Sequence, residues 1–271
     1  MVSDFDGTLS PIVPDPTGAR IVPGAQSALR RLARIAAARP DRLALVVLSG
    51  RAATDVARRV RVGGIRYLGN HGLESGLLAR GDRAERLSVA AHPALGSIDA
   101  VTAIARAVGV GVAERLGHAP WLFVEDKGPS VAFHFRQAPD PDAARRAVRA
   151  ALDDVGHAGM QRLEGRQVVE LRPSGVGGKG ASMERLLVSE RPSAVLVLGD
   201  DVSDADAFRA VISARTGASG RPAIHGLVVA VHGANETPQE VVEAADLLVA
   251  APRDAARVLG DLARILDAQR A

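Results

Sequence analysis

The chain has 271 residues, 47% of them hydrophobic, which is enough to bury the core of one large domain or two ordinary ones. Its 34 basic and 31 acidic residues nearly cancel and aromatic residues make up only 3%, so we expect no nucleic-acid partner. The absence of cysteine excludes disulfides and thiolate metal sites, and no apolar run approaches the roughly 18 residues of a membrane span. With no signal-like segment ahead of the first motif, the sequence predicts a cytoplasmic protein without membrane contact.

The first part of the chain predicts alternating strands and helices. A proline-rich loop at 11–23 follows the opening motif. Hydrophobic periodicity then predicts, in order, a helix at 26–38, a buried strand at 43–48, a helix at 52–60 and a strand at 65–68. This order is typical of a parallel sheet with right-handed crossovers. Ligands bind such sheets beyond the carboxyl ends of the strands, where Asp4, Ser49 and Asn70 fall.

The middle of the chain has a different pattern. It predicts a helix at 92–116, a hairpin of 121–125 with 131–136, a helix at 141–155 and strands at 160–163 and 167–171. This order of helix, two strands, helix, two strands indicates a two-layer α+β module. The module interrupts the parallel pattern, so we interpret it as an insertion.

The parallel pattern returns in the last part of the chain. It predicts a helix at 181–190, a strand at 194–198, a helix from Ser203 as N-cap through residue 211, strands at 226–231 and 246–249, and a helix at 254–266. The predicted fold is therefore α/β, with a Rossmann-like parallel-sheet core and an inserted α+β cap. We place the core at 1–86 and 173–271, and the cap at 87–172.

The opening motif carries two carboxylates, Asp4 and Asp6, on a Gly-Thr turn. In a strand, residues two apart lie on one face, where two anions repel each other unless a cation or a proton lies between them. The motif therefore indicates a metal site or an acid/base site. An ordinary Asx turn is an equally simple reading of the same residues. A calcium loop does not fit, because Leu9 stands where that loop needs glycine.

A glycine-rich stretch at 175–180 matches the dinucleotide-binding pattern, with Asp200 at a suitable distance for a ribose. That reading leaves Asp4, Asp6 and the segment 49–51 without roles, so we rank it low. A phosphate-binding Walker loop fails, because Lys179 is followed by glycine instead of Ser or Thr. Lys179 is notable for another reason: only two of the 34 basic residues are lysines, and a compact ammonium suits the binding of single phosphate or sugar oxygens.

Four motifs in order resemble the signature of the haloacid dehalogenase superfamily of phosphatases. They are Asp4-x-Asp6-Gly-Thr, Ser49, Lys179, and Gly199-Asp200-Asp201. More narrowly, the chain resembles trehalose-6-phosphate phosphatases over nearly its whole length. The motifs that carry this resemblance are Leu48-Ser-Gly-Arg51, Gly69-Asn-His-Gly-Leu-Glu74, Val124-Glu-Asp-Lys-Gly128, His134-Phe-Arg136, Glu170-Leu-Arg-Pro173, Lys179-Gly180 and Gly199-Asp-Asp-Val-Ser-Asp204.

The resemblance implies a magnesium-dependent phosphatase that cleaves trehalose 6-phosphate through an aspartyl-phosphate. It assigns Asp4 as nucleophile and Asp6 as general acid and base. The remaining implied roles are Mg²⁺ binding by Asp4, Asp6 and Asp200 with Asp201 and Asp204 behind them, phosphate binding by Ser49, Lys179 and Arg136, and sugar binding by Asn70, His71, Glu125, Lys127 and Glu170. The implied partner is a small sugar phosphate; association with a trehalose-phosphate synthase is not readable from the sequence.

Several residues keep two readings at this stage. His71 is either a turn residue or a site residue, and His134, which alternates in a strand, is read as a packed core residue. The roles of Arg51 and Glu74 stay open, Glu74 being a candidate partner for an arginine. Only three residues precede Asp4, which is short for a central strand, so we expect an incomplete start.

Two other functions compete with this one. A phosphatase of the same superfamily that acts on sucrose phosphate or mannosyl-phosphoglycerate shares the core motifs. A catalytically silent homologue that regulates a partner is the alternative from another class. Intact Asp4, Asp6, Lys179 and Asp200 count against the silent homologue, because buried anions are costly to keep without a use.

Overall fold

The computed structural model describes residues 1–13, 15–165, 167–217, 222–233 and 237–269. Pro14, in the predicted proline-rich loop, lies outside them. The strands are β1 Val2–Ser3, β2 Val46–Leu48, β3 Ile65–Gly69, β4 Glu74–Leu78, β5 Ala90–Ala91, β6 Phe123–Asp126, β7 Val131–His134, β8 Met160–Gly165, β9 Val168–Pro173, β10 Ala194–Gly199, β11 His225–Val231 and β12 Leu247–Val249. The α-helices are α1 Pro23–Ala38, α2 Ala53–Val60, α3 Ile98–Arg115, α4 Pro141–Val155, α5 Lys179–Glu190, α6 Val202–Arg215, α7 Gln239–Glu243 and α8 Pro252–Ala268.

The chain divides into two compact units, residues 1–90 with 177–271, and residues 91–176. The boundaries predicted from the sequence fall at 86/87 and 172/173. The first unit contains a sheet of order β12-β11-β10-β1-β2-β3-β4-β5, parallel from β12 through β3, and β4 runs antiparallel to β3. The structure therefore has the α/β architecture that the strand and helix pattern predicts.

Strand β1 lies at the centre of this sheet although it is only two residues long. Val2 pairs with Val46 on one side and Val197 on the other. Backbone bonds extend the pairing at both ends: the amide of Asp4 donates to the Leu198 carbonyl at 3.0 Å, and the amide of Val46 donates to the Met1 carbonyl at 3.0 Å. Asp4 is therefore held by backbone bonding at the end of a central strand.

Apolar side chains cover both faces of the first sheet, as continuous apolar strands require. On one face, Leu29 and Leu32 of α1, Val56 of α2 and Leu259 of α8 belong to one buried cluster. On the other face, helices α5 and α6 contribute a second cluster that includes Met183, Leu187 and Phe208. The two layers of helices leave the ends of the strands as the place where polar side chains can gather.

The second unit is a four-stranded antiparallel sheet of order β6-β7-β9-β8 with helices α3 and α4. Its core contains Val112 of α3, Val148 of α4, and Phe133 and Leu171 of the sheet. Helix α4 spans the predicted residues, whereas α3 begins at Ile98 and not at 92. Ser97 accounts for this start, because its hydroxyl accepts a hydrogen bond from an amide of the first turn and so caps the helix.

The structure also corrects the predicted N-cap of α6 and adds a strand, β4, that the sequence did not predict. The N-cap of α6 is Asp201 and not Ser203, because the Asp201 carboxylate accepts from the Ser203 amide in a capping box with Asp204. Strand β4 was not predicted, since Gly76 interrupts its alternating pattern. Within the described ranges, no helix combines the length and apolarity needed to cross a membrane.

Candidate active site

Four parallel strands of the first unit deliver polar side chains to one edge of the sheet. Asp4 follows β1, Ser49 follows β2, Asn70 follows β3, and Asp200 follows β10. All four strands run in the same direction, so their carboxyl ends lie at the same edge. The crossover pattern predicted this common edge for Asp4, Ser49 and Asn70, and the structure adds Asp200 to it.

Lys179, the first residue of α5, binds two of the acids. Its Nζ atom donates to Asp4 Oδ1 at 2.6 Å and to Asp204 Oδ1 at 2.8 Å, and all three side chains are at least 95% buried. Burial alone would lower the pKa of Lys179, but the attraction of Asp204 and Asp4 raises it above its ordinary value. Lys179 is therefore a buried, charged ammonium between two carboxylates.

Three carboxylates gather around this point. Asp4, Asp200 and Asp204 each offer one oxygen within 4.8 Å of the other two, and Thr8 Oγ1 donates to Asp200 Oδ1 at 3.2 Å. Burial raises the pKa of Asp4 and of Asp200 well above their ordinary values, repulsion within the cluster adds to both shifts, and Lys179 opposes them. Such a group of buried and half-buried carboxylate oxygens is suited to bind a hard divalent cation.

Gly7 permits the close approach of Asp200 to the first motif. It has φ +78°, and a Cβ atom added there would lie 1.8 Å from Asp200 Oδ2. Both the left-handed conformation and the space therefore require glycine at this position. The glycine of the Asp-x-Asp-Gly motif is thus explained by its close contact with Asp200, which follows β10.

Asp6 and Asp201 are not part of the cluster formed by the carboxylates of Asp4, Asp200 and Asp204. The Asp6 carboxylate is bound by Arg51, whose Nε donates to Oδ2 at 2.7 Å and whose Nη2 donates to Oδ1 at 2.8 Å. Asp201 is exposed and caps α6, whereas Asp204, predicted behind the metal ligands, contributes an oxygen to the carboxylate cluster. The sequence analysis left the role of Arg51 open, and the structure shows that Arg51 binds the Asp6 carboxylate.

The turn after β3 is held by Glu74. Asn70 and His71 have positive φ values of 48° and 57°, which are uncommon outside glycine. Glu74, which is buried, accepts from Asn70 Nδ2 at 2.8 Å with Oε1 and from the Ala53 amide at 2.8 Å with Oε2. Burial raises the pKa of Glu74, and these two hydrogen bonds oppose the shift. The expectation of an arginine partner is therefore replaced by a role in fixing Asn70 and the start of α2.

Ser49 and His71 meet at the loop after β2. The His71 amide donates to the Ser49 carbonyl at 2.9 Å, and the Ser49 hydroxyl accepts from the Arg51 amide at 3.1 Å. A Cβ atom at Gly50 would lie 2.9 Å from the His71 imidazole. The imidazole ring therefore packs directly against this loop. His71 is thus packed on the segment that carries Ser49.

The second unit carries its own polar group. Lys127 Nζ lies 3.3 Å from Glu170 Oε2 and 3.8 Å from Glu125 Oε2. His134 Nε2 lies 2.9 Å from Glu125 Oε2 with 30% of its side chain exposed, so the reading of His134 as a packed core residue is wrong. Arg136 follows β7 in an exposed turn. Glu125 and Glu170 both pair in register with Ala132, which places them on one face of the sheet.

Comparison with solved structures defines the fold class. A haloacid dehalogenase-like hydrolase from Bacteroides thetaiotaomicron superposes with a TM-score of 0.58 and 16% identity, covering 96% of this chain and 98% of the other. The C-terminal domain of Candida albicans trehalose-6-phosphate phosphatase superposes with a TM-score of 0.70 and 22% identity, covering 97% and 91%. The fold is that of the haloacid dehalogenase-like hydrolases.

Sequence comparison gives the family. The family model described as trehalose-phosphatase matches residues 2–243. A trehalose-phosphate phosphatase of Mycobacterium avium is 39% identical over 214 residues, and one of Mycobacterium tuberculosis is 36% identical over 213. Each match covers 77% of this chain, which spans about half the length of these curated relatives. The chain belongs to the trehalose-phosphatase family.

Proposed function

We propose that this chain is a magnesium-dependent phosphatase that hydrolyses trehalose 6-phosphate to trehalose and inorganic phosphate. The observation that carries the proposal is the cluster of buried Asp4, Asp204 and Lys179 with half-buried Asp200 at the carboxyl edge of the sheet. The family match and the names of the curated relatives support the choice of substrate. A cytoplasmic location stays a prediction from the sequence.

The donor set of the cluster fits Mg²⁺. Its side-chain ligands are carboxylate oxygens, which hard divalent cations prefer, and burial together with mutual repulsion raises the pKa of Asp4 and Asp200 although Lys179 opposes the shift. Asp4, the Asp6 carbonyl and Asp200 would hold the ion, with Asp201 and Asp204 orienting its water ligands. When bound, the ion supplies positive charge that lets a dianionic phosphoryl group approach three carboxylates.

The residues of the first unit would divide the reaction into two steps. In the first, Asp4 attacks phosphorus, the bond to the sugar oxygen breaks, and Asp6 gives that oxygen a proton. In the second, water attacks the aspartyl-phosphate, and Asp6 takes the proton that the water loses. Ser49 and Lys179 would bind the oxygens of the transferred group, where preorganised donors are most effective.

The polar group of the second unit is proposed to select the sugar. Glu125, Lys127 and Glu170 would bind glucose hydroxyls, because carboxylates and an ammonium together offer acceptors and donors for a polyol. Arg136 would bind the phosphate, and Asn70 and His71 would contact the substrate at the rim of the first unit. These assignments follow the resemblance in sequence, and the shared face of Glu125 and Glu170 supports them.

The test is phosphate release with and without Mg²⁺ from trehalose 6-phosphate, sucrose phosphate, mannosyl-phosphoglycerate and p-nitrophenyl phosphate. We expect trehalose 6-phosphate to be the best substrate, and Glu125→Ala and Lys127→Ala to impair it more than the small ester. Glu114→Ala, an exposed glutamate of α3 in the same unit, is the matched control. Preference for another sugar ester would change the proposed substrate but leave the proposed reaction unchanged.

A catalytically silent regulator is the second candidate. The C-terminal domain of a Candida albicans trehalose synthase regulatory protein shares the fold, with a TM-score of 0.65 and 14% identity over 96% of this chain. Background phosphate release from every ester in the presence of Mg²⁺ would favour this candidate. The acidic cluster argues for catalysis, because three carboxylates around one ammonium are costly to bury and a silent domain gains nothing from them.

A further inference from the structure

Arg51 binds both oxygens of the Asp6 carboxylate. The two donors, Nε and Nη2, lie 2.7 and 2.8 Å from Oδ2 and Oδ1, which is the planar fork geometry of an arginine and carboxylate pair. The Arg51 side chain is 13% exposed and that of Asp6 is 34% exposed. A carboxylate exposed to this extent has several rotamers available, and the fork restricts them to one.

Arg51 is itself held from several sides. Its Nη1 donates to Asp55 Oδ2 at 3.1 Å, its Nη2 donates to the Pro16 carbonyl at 3.0 Å, and its guanidinium carbon lies 5.8 Å from the centre of the Phe5 ring. Asp55 accepts a second bond from Arg59 Nε at 2.9 Å. The guanidinium therefore has one orientation before any substrate is present.

The direction of the Asp6 carboxylate determines whether it can act as a general acid. A proton donor must lie within about 2.6–3.2 Å of the oxygen it protonates. Small errors in placement are costly, since a misplacement of about 1 Å can lower a rate by roughly 100-fold. An arginine that fixes this carboxylate is thus in a position to control the proton-transfer step.

We propose that Arg51 is a positioning residue of the reaction, which orients the Asp6 carboxylate toward the leaving oxygen. The inference rests on the phosphatase function proposed above. The fork uses both Asp6 oxygens as acceptors, so it is complete while Asp6 is ionised, and one of its two bonds is open while Asp6 carries the proton for the sugar oxygen. The other bond keeps the carboxyl group aligned. The fork forms once the proton has passed to the sugar oxygen, and one bond opens again when Asp6 takes the proton of the attacking water.

The test compares two esters with different leaving groups. A sugar alkoxide needs protonation as it leaves, whereas p-nitrophenolate does not. Arg51→Ala should therefore lower kcat/KM for trehalose 6-phosphate by about 10-fold to 100-fold more than for p-nitrophenyl phosphate. Arg51→Lys, which retains the charge without the fork, should fall between wild type and Arg51→Ala and also serves if Arg51→Ala does not fold.

Two further variants separate positioning from a structural effect. Arg59→Ala removes the other arginine bound to Asp55 but leaves the fork on Asp6, so the ratio of the two esters should stay within about twofold of wild type. In an Asp6→Asn background, Arg51→Ala should not further change the ratio of kcat/KM for trehalose 6-phosphate to kcat/KM for p-nitrophenyl phosphate. Equal losses on both esters, or the same change of ratio without Asp6, would overturn the inference.

The same assays distinguish failure of this inference from failure of the proposed function. A wild-type protein that releases phosphate from neither ester would refute the phosphatase function and the role of Arg51 with it. A wild-type protein that is active, combined with an unchanged ratio in Arg51→Ala, would refute only the role of Arg51.

Discussion

At the scale of single residues, Lys179 is the cation that the acidic cluster depends on. It is the partner of Asp4 and Asp204 in a region with little access to water. Removing one partner of a buried ion pair leaves an uncompensated charge, which is far more costly than removing an exposed pair. The structure therefore predicts very different consequences for the two lysines of the chain.

We expect Lys179→Ala to lower the free energy of unfolding by about 3–5 kcal/mol, and Lys127→Ala, whose side chain keeps 15% exposure, to lower it by less. Urea denaturation in the presence of a chelator measures both values. Added Mg²⁺ should restore part of the loss in Lys179→Ala, because a second cation then compensates the carboxylates. Equal losses in the two variants would contradict the described burial of Lys179.

Gly7 gives a second prediction at this scale. Gly7→Ala introduces a Cβ atom against Asp200 and places alanine at a positive φ, which alone costs about 1–2 kcal/mol. The variant should be less stable and should require more Mg²⁺ for the same thermal shift. Gly260→Ala in helix α8 is the matched control, because its Cβ meets nothing within 4 Å and should stabilise the helix by about 0.5–1 kcal/mol.

At the scale of elements, the start of α6 depends on Asp201 and not on the serine that the sequence favoured. Asp201 accepts from the Ser203 amide at 2.5 Å, whereas the buried Ser203 hydroxyl has no hydrogen-bond partner within the described residues. Asp201→Ala should cost about 1 kcal/mol, and Ser203→Ala should be neutral or slightly stabilising. Thermal unfolding in a chelator measures this difference, and the reverse order would contradict the cap.

Helices were easier to predict than strands in this chain. The amphipathic spacing of 141–155 and its proline start gave α4 with its observed bounds, because both signals are local. Strand β4 was missed although it pairs with the preceding strand β3, because Gly76 weakens its alternating pattern. Strand β1 was expected from the sequence in spite of its shortness, but its central place in the sheet depends on partners about 45 and 195 positions away.

The candidate site divides in the same way. The common position of Asp4, Ser49 and Asn70 was predicted because each follows a strand whose direction the crossover pattern fixes, whereas Asp200 was named through the family resemblance. Arg51 and Glu74 were quoted within motifs, but their partners could not be named, because side-chain pairing depends on rotamers and backbone turns that a sequence does not encode locally. The contribution of Asp204 to the carboxylate cluster was missed for the same reason.

At the scale of the whole molecule, the acidic cluster links stability to pH and to metal. Burial raises the pKa of Asp4, Asp200 and Asp204 in the folded chain. A carboxyl group with a raised pKa binds more protons in the folded chain than in the unfolded chain. Its contribution to stability therefore falls as the pH rises above the pKa that the group has in the unfolded chain. A bound cation requires the ionised carboxylates and should reverse that loss.

The stabilisation by Mg²⁺ should therefore grow as pH rises above the ordinary pKa range of a carboxyl group, as the cluster loses its protons. Differential scanning fluorimetry with and without Mg²⁺ measures the shift in Tm as the pH is raised. Asp200→Asn, which removes one ligand charge, should reduce the shift at every pH. A shift that is independent of pH in the wild-type protein would count against binding at these three acids.

The central claim is that the Asp4 carboxylate accepts the phosphoryl group, and an acid-quenched single turnover tests it most directly. The protein is mixed with trehalose 6-phosphate labelled in its phosphoryl group in the presence of Mg²⁺, and mass spectrometry locates the label on the chain. The account predicts transient label on Asp4 and none in Asp4→Asn, which should keep its fold because asparagine still accepts from Lys179. Rapid phosphate release without labelled Asp4, or full turnover by Asp4→Asn, would contradict it.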